Sequence, residues 1–230
     1  SDGLRALLEA LVGSGTALSQ ATLNEVIAKV PNTRLDDHPL IKTDPETRVR
    51  HARGQSLPDW LEMHSGNVDT FPDGVAFPES PEQVRELLAH AKENNLIVIP
   101  YGGGTSVVGH INPETSDKPV LTIDMGKMNA MLGIDTESQL ATFGAGAPGP
   151  VVEEELKKHG YTLGHFPQSW ELSTLGGWVA SRSSGQQSLH YGRIENMFAG
   201  GTIETLNGTM TIPTIPAIAP LDIIFKRRFI

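Results

Sequence analysis

Cysteine is absent from all 230 residues. That excludes a disulfide framework, a thiolate zinc site, an iron–sulfur cluster and a cysteine nucleophile. It leaves the compartment open, because a thiol-free chain suits either redox regime. Positive charge is also scarce: 18 Lys+Arg stand against 27 Asp+Glu, a net charge of −9. A nucleic-acid binder needs clustered cations to displace counterions, and the one compact cluster, Lys226, Arg227 and Arg228, is a triplet at the end of the chain. No nucleic-acid partner is expected. No apolar run approaches the ~20 residues of a membrane span. Arg5 and Glu9 interrupt the N-terminal stretch that could pass for a signal peptide. A soluble, cytoplasmic protein is the expectation. The eight histidines show no H-x-x-x-H or H-E-x-x-H spacing, so no metal is expected. Among them His51 and His165 are candidates for lining a cleft, against the plainer reading of satisfied histidines. Trp60, Trp170 and Trp178 read as packing residues.

Apolar residues make up 38% of the chain, enough for a sizeable core. Residues 3–30 suggest two short helices, one with Leu4, Leu7, Leu8 and Leu11 as its stripe, the other ending before Pro31. Residues 31–72 read as irregular, punctuated by five prolines. Val75–Pro78 reads as a short strand. Ser80, Pro81 and Gln83 then start a helix as cap, first position and capping box. LIVIP (96–100) has the continuous apolar run of a strand buried on both faces. VLTID (120–124) is a third strand, and the strand–helix–strand unit implies a parallel crossover. Farther on, alternation around Asp135–Ser138 predicts an antiparallel hairpin. Pro150 opens a helix whose first turn holds Glu153, Glu154 and Glu155 and which Gly160 closes. The expected layout is an N-terminal helical arm and extended segment (1–71), one lobe partly parallel (72–125) and one mainly antiparallel (126–216). Residues 217–230 stay unassigned.

Three glycine-containing stretches compete for chemistry. In PYGGGTSVVG (100–109) a strand empties into three glycines and two hydroxyl residues. Without Cβ atoms, successive N–H groups can converge on an anion, and Thr105 and Ser106 add donors. The alternative is a tight surface turn, which needs fewer glycines. No Gly-Lys-Ser/Thr follows, so this is not a Walker loop. Gly144, Gly146 and Gly149 do satisfy G-x-G-x-x-G. However, Pro148 and Pro150 remove amides, and Glu171 follows no apolar run. The third stretch, HFPQSWELSTLGGWVASRSSG (165–185), taken alone reads as a Gly/Ser-rich loop. Within it, Ser173 or Thr174 caps a short core helix that Gly176 and Gly177 let pack closely.

PYGGGTSVVG, QSWELSTLGGWVASRSSG and YGRIEN, in that order, resemble the flavin-binding domain of the vanillyl-alcohol oxidase superfamily, and within it the alkylglycerone phosphate synthase family. RHARGQSLPDW (50–60) and PDGVAFPES (72–80) extend the likeness to about residues 48–216. The resemblance implies an α+β, two-lobed FAD-binding fold of the PCMH type with FAD extended between the lobes. It assigns the pyrophosphate to Pro100, Tyr101, Gly102, Gly103, Gly104, Thr105 and Ser106. It assigns the rest of the cofactor to Gln168, Ser169, Trp170, Glu171, Leu172, Ser173 and Thr174, with Gly177, and to Ser181, Arg182, Ser183 and Ser184. Gln168 stands where the family often has Asp. Thr105 stands where members with covalent flavin carry His, so the FAD is expected to be non-covalent.

The implied activity exchanges the acyl chain of acyl-dihydroxyacetone phosphate for a fatty alcohol, in ether lipid synthesis, without net redox turnover. The alternative is an FAD-linked oxidase or dehydrogenase of a 2-hydroxy acid such as D-lactate or glycolate. A small-molecule lipid or hydroxy-acid substrate, a homodimer and peripheral membrane association are the implied partners. The family's cap, later glycine-containing FAD contact and catalytic residues are not recognisable here, so catalytic residues stay unassigned and this chain alone is expected not to turn over.

Overall fold

The computed structural model describes residues 2–15 and 18–214. The unassigned 217–230 segment, the Lys226–Arg228 triplet and the end of the resemblance at Pro216 lie outside them. The N-terminal arm carries α1 (Asp2–Val12) and α2 (Leu23–Ile27), the latter closed by a Thr22/Glu25 capping box. The leucine stripe of α1 is not core. Leu4, Leu7, Leu8 and Leu11 stay 50–71% exposed, and no residue of the helix is buried.

The stretch read as irregular contains β1 (Ile41–Lys42), α3 (Pro45–Arg50) and α4 (Leu57–Ser65). Two of its five prolines start helices rather than break them. Pro45 and Pro58 occupy first-turn positions, where a missing N–H costs nothing. Asp44 caps α3, and Ser56 with Asp59 forms a capping box on α4. Arg48 lies only 1% exposed and donates to the carbonyls of Pro72 (2.6 Å) and Pro31 (2.7 Å), so its guanidinium ties arm to lobe.

The first lobe's strands β2 (Gly74–Ala76), β3 (Ile97–Tyr101) and β4 (Val120–Asp124) form a four-stranded sheet in the order β1-β2-β4-β3, whose outer strand β1 comes from the 1–71 segment and joins that segment to the lobe. β2 and β3 both run parallel to β4, while β1 is antiparallel to β2. The expectation for LIVIP is corrected. β3 is the half-buried edge strand, and β4, inserted between β2 and β3, is the buried one. Pro100 fits an edge, since it has no N–H to give a ladder. Helix α5 (Pro81–Glu93) packs Leu87 against Ala76, Leu121 and Ile123. Ser80 caps it as expected, but Gln83 completes no box. Its Oε1 accepts from the Glu79 amide at 2.8 Å, one residue farther back.

The second lobe holds the hairpin β5 (Met131–Asp135)–β6 (Leu140–Phe143), helices α6 (Gly149–Lys158), α7 (Leu175–Ser181), α8 (Ser188–Tyr191) and α9 (Ile194–Met197), and the hairpin β7 (Gly201–Thr205)–β8 (Gly208–Ile212). Val152, Leu156, Leu163, Trp178, Ile194 and Met197 form its core. α6 starts at Gly149, which leaves its first turn without acids and puts Glu153 past it. The Glu153 carboxylate instead accepts from the Leu163 and Gly164 amides and the Thr162 hydroxyl, fixing the chain that leaves the helix. One lobe is partly parallel and the other antiparallel, an α+β fold.

Candidate cofactor-binding site

β3 delivers the chain into Gly102–Gly104 at the carboxyl end of the parallel strands, where open α/β sheets receive ligands. Each glycine there has its own reason. A Cβ on Gly102 would strike Thr174 Oγ1, and one on Gly103 would strike the Leu172 carbonyl, so the loop lies directly on the second lobe. Gly104 has φ +68°, with the Tyr101 hydroxyl filling the space a Cβ would take. The turn's far end is pinned from the arm. Gln55 N–H donates to the Ser106 carbonyl at 2.6 Å, and Gly54 N–H donates to Asn112 Oδ1 at 3.0 Å. Asn112 Nδ2 in turn donates to Asp59 Oδ1 at 2.6 Å. Between these anchors, the N–H groups of Gly103, Gly104, Thr105 and Ser106 donate to no described residue.

The competing glycine loop is the reverse. Gly144 N–H donates to the Ala130 carbonyl and Gly146 N–H to that of Met128, both at 2.9 Å. Cβ atoms on Gly144, Gly146 and Gly149 would meet the Met128 carbonyl, the Met125 carbonyl and the Trp170 ring. Its glycines serve backbone packing, and these amides have no capacity left for an anion.

Behind the free amides sits a polar cluster. His51, 8% exposed, faces Asp124 Oδ2 through Nε2 at 2.9 Å and the Thr47 carbonyl through Nδ1 at 2.8 Å. The Tyr101 ring packs on the imidazole at 4.7 Å between centroids. Burial, and secondarily the Asp124 carboxylate, pushes the Tyr101 hydroxyl up to about 12, which keeps it a neutral donor. His51 is therefore buried and bonded beneath the loop rather than lining an open cleft.

On the second lobe, Ser169 O accepts from the Leu172 and Ser173 amides, folding 168–173 into a turn that exposes Gln168, Glu171 and Leu172. Thr174 caps α7 by accepting from Gly177 N–H at 3.3 Å. Gly176 packs closely on Ala145 as expected, whereas Gly177 faces only its own cap and is exposed. The Ser173 hydroxyl accepts from Trp178 Nε1 at 2.7 Å, and Ser183 Oγ sits 2.8 Å from His165 Nε2. Ser181 turns back to the Gly177 carbonyl. Arg182, a left-handed residue at φ 53°, pairs with Glu195. Neither side chain hydrogen-bonds to the 102–106 loop. Trp170 stacks on Gly149 and Trp178 is core, but Trp60 is half-exposed and donates to Gln55 Oε1, contrary to a packing role.

The structure thus brings Gly102 and Gly103 together with 172–174, and Ser173 together with Ser183 through the Trp178–His165 pair. Sequence reasoning missed Asp59, Asn112 and Asp124. Only Asp59 left a local signal, the S-x-x-D box of 56–59.

The model of a family described as FAD binding domain matches residues 72–212, more than half of the chain. The chain belongs to this family of FAD-binding domains. FAD is its cofactor. The alkyldihydroxyacetonephosphate synthase of Dictyostelium discoideum is 40% identical over 172 residues, which cover 75% of this chain and 28% of that protein. A solved alkyldihydroxyacetonephosphate synthase structure superposes with TM-score 0.81 at 33% identity, over 96% of this chain and 44% of the other. The mitochondrial D-lactate dehydrogenase [cytochrome] 1 of Saccharomyces cerevisiae is 30% identical over 152 residues, 66% of this chain and 25% of that protein. The chain thus spans less than half the length of the relatives it matches. Among the described residues no helix is long and apolar enough to cross a membrane, and no cluster of three or more metal-ligating side chains occurs.

Proposed function

We propose that this chain is the cofactor-holding part of an FAD-dependent transferase of the alkyldihydroxyacetonephosphate synthase type, which exchanges the acyl chain of acyl-dihydroxyacetone phosphate for a fatty alcohol. The observation that carries its FAD-binding role is the run of unpartnered amides at Gly103–Ser106, anchored at both ends and laid against 172–174. Such a run is a preorganised anion site that gives up no other hydrogen bond when it binds.

In this reading those amides and the Thr105 and Ser106 hydroxyls donate to the diphosphate, while Pro100 and Tyr101 end the strand that presents them. The 168–174 turn, Gly177 and the 181–184 segment line the remainder. Thr105 lacks the imidazole that members with covalent flavin carry at this position, so this reading takes the FAD as non-covalently bound. When bound, FAD supplies the reactive isoalloxazine, and the chain's residues orient it and limit its exposure to water. Dimerisation, cytoplasmic localisation and peripheral association with membranes that hold the lipid substrate belong to the same reading. The identity to the synthases, higher than that to the D-lactate dehydrogenase, favours the transferase over a 2-hydroxy-acid dehydrogenase.

The test uses the protein at its native length. It is assayed for ether product from acyl-dihydroxyacetone phosphate and hexadecanol, alongside flavin bleaching by D-lactate. Ether formation without bleaching is expected. Bleaching by D-lactate without ether product would transfer the chain to the dehydrogenase reading.

A further inference from the structure

His165 lies 1% exposed in the second lobe, edge-on to Trp178 at 5.1 Å between ring centroids. Its Nε2 is 2.8 Å from Ser183 Oγ, while its Nδ1 is fully buried and meets no partner among the described residues. Burial pushes its pKa down to about 4, so the ring is neutral near pH 7 and one nitrogen carries the proton. A proton on Nδ1 would bury an orphan donor. A proton on Nε2 leaves only a lone pair unmatched and makes the ring a donor to Ser183.

The serine backbone is fixed as well, its N–H on the Trp178 carbonyl at 3.0 Å and its carbonyl accepting from Ile194 N–H at 3.3 Å. With one lone pair engaged by the imidazole, the Ser183 hydroxyl proton has no acceptor among the described residues. Trp178 Nε1 does the same to Ser173, 2.7 Å away, on the neighbouring segment.

We infer that His165, as the Nε2–H tautomer, is a positioning residue that commits the Ser183 hydroxyl to donate to an oxygen acceptor of FAD. The inference rests on the assignment of the 168–174 and 181–184 segments to the cofactor. It adds that serines in both segments are oriented as donors by one buried aromatic pair, although His165 itself touches no ligand.

The test measures FAD affinity of the full chain by flavin fluorescence, and the ring tautomer by long-range nitrogen–proton NMR of labelled histidine. Ser183→Ala and His165→Phe are each expected to weaken FAD binding about tenfold, the scale of one hydrogen bond. The double variant should be no weaker than either single one. His165→Gln, whose amide nitrogen can stand in for Nε2, should stay within about threefold of wild type. If His165→Phe does not fold, His165→Gln and the tautomer decide. An Nδ1–H tautomer, or losses that multiply in the double variant, overturns the inference. So does wild-type FAD affinity in a folded His165→Phe protein, which leaves the FAD reading intact. A wild-type chain that binds no FAD refutes that reading first, and this one with it.

Discussion

Gly103→Ala is the sharpest perturbation of the site, because the smallest side chain there would be driven into a backbone carbonyl. The added Cβ meets the Leu172 carbonyl and lies 3.1 Å from Ser173 Cα. Neither is the far end of a flexible side chain, so the two lobes must separate locally. Overpacking of this kind costs about 1–3 kcal/mol. In a chain of this size each kcal/mol lowers Tm by roughly 2–4 °C. The amide cradle faces the cofactor from the same loop, and its geometry depends on that contact. FAD affinity is therefore expected to fall at least about a hundredfold, the scale of losing two hydrogen bonds from the cradle. Gly133→Ala is the control: it has nothing within 4 Å of its Cβ, and it should leave both quantities unchanged. Calorimetric melting and flavin fluorescence titration read the two effects separately. A folded Gly103→Ala protein that binds FAD as the wild type does would refute the cradle and reduce the loop to a turn.

Gly146→Ala should lower stability through its clash with the Met125 carbonyl, and neither it nor the wild type should bind NAD or NADP more tightly than about 1 mM in calorimetric titration. Asp73 gives an acid-dependent prediction. Burial is the largest influence and pushes its carboxyl up, but hydrogen bonds from the Arg34 side chain and the Val120 amide outweigh it and hold it below the ordinary value. Its contribution is then full above the unfolded value of about 3.9 and lost as pH falls through the lower folded value. Urea midpoints of Asp73→Asn should consequently lie below wild type at pH 6, and the gap should narrow toward pH 3.

Much of the fold was legible because local signals and burial agreed. Ser80–Pro81 started α5, and the alternation around Asp135–Ser138 gave the β5–β6 hairpin. Strand burial was misread where composition and topology part. LIVIP has the apolar run of an interior strand, but β4 enters between β2 and β3 and leaves it at the edge. No local pattern announces which strand a crossover will leave outside. The prolines of 31–72 punctuate a polar, irregular-looking stretch, although Asp44–Pro45 and Ser56-x-Pro58-Asp59 carry helix-start signals. The leucines of α1 show the converse, a helical stripe with nothing packed on it.

At the site, both loops supply glycines after a strand, and the sequence already weighs against 144–149, where Pro148 and Pro150 remove amides and Glu171 follows no apolar run. The structure separates them by where the N–H groups go, which depends on residues as distant as Gln55, Ala130 and Met128. The joining of Ser173 to Ser183 through Trp178 and His165 is tertiary too. Only the residue types, a His and a Trp flanking a serine-rich stretch, could be seen beforehand.

The most direct measurement of the central claim is the fate of FAD on the purified chain. The protein is titrated with FAD, freed of excess, precipitated with acid and centrifuged. Stoichiometric binding with all of the flavin recovered intact in a yellow supernatant is the expected result. Failure to bind added FAD in a folded protein would contradict the cofactor site, and a yellow pellet would contradict its non-covalent character.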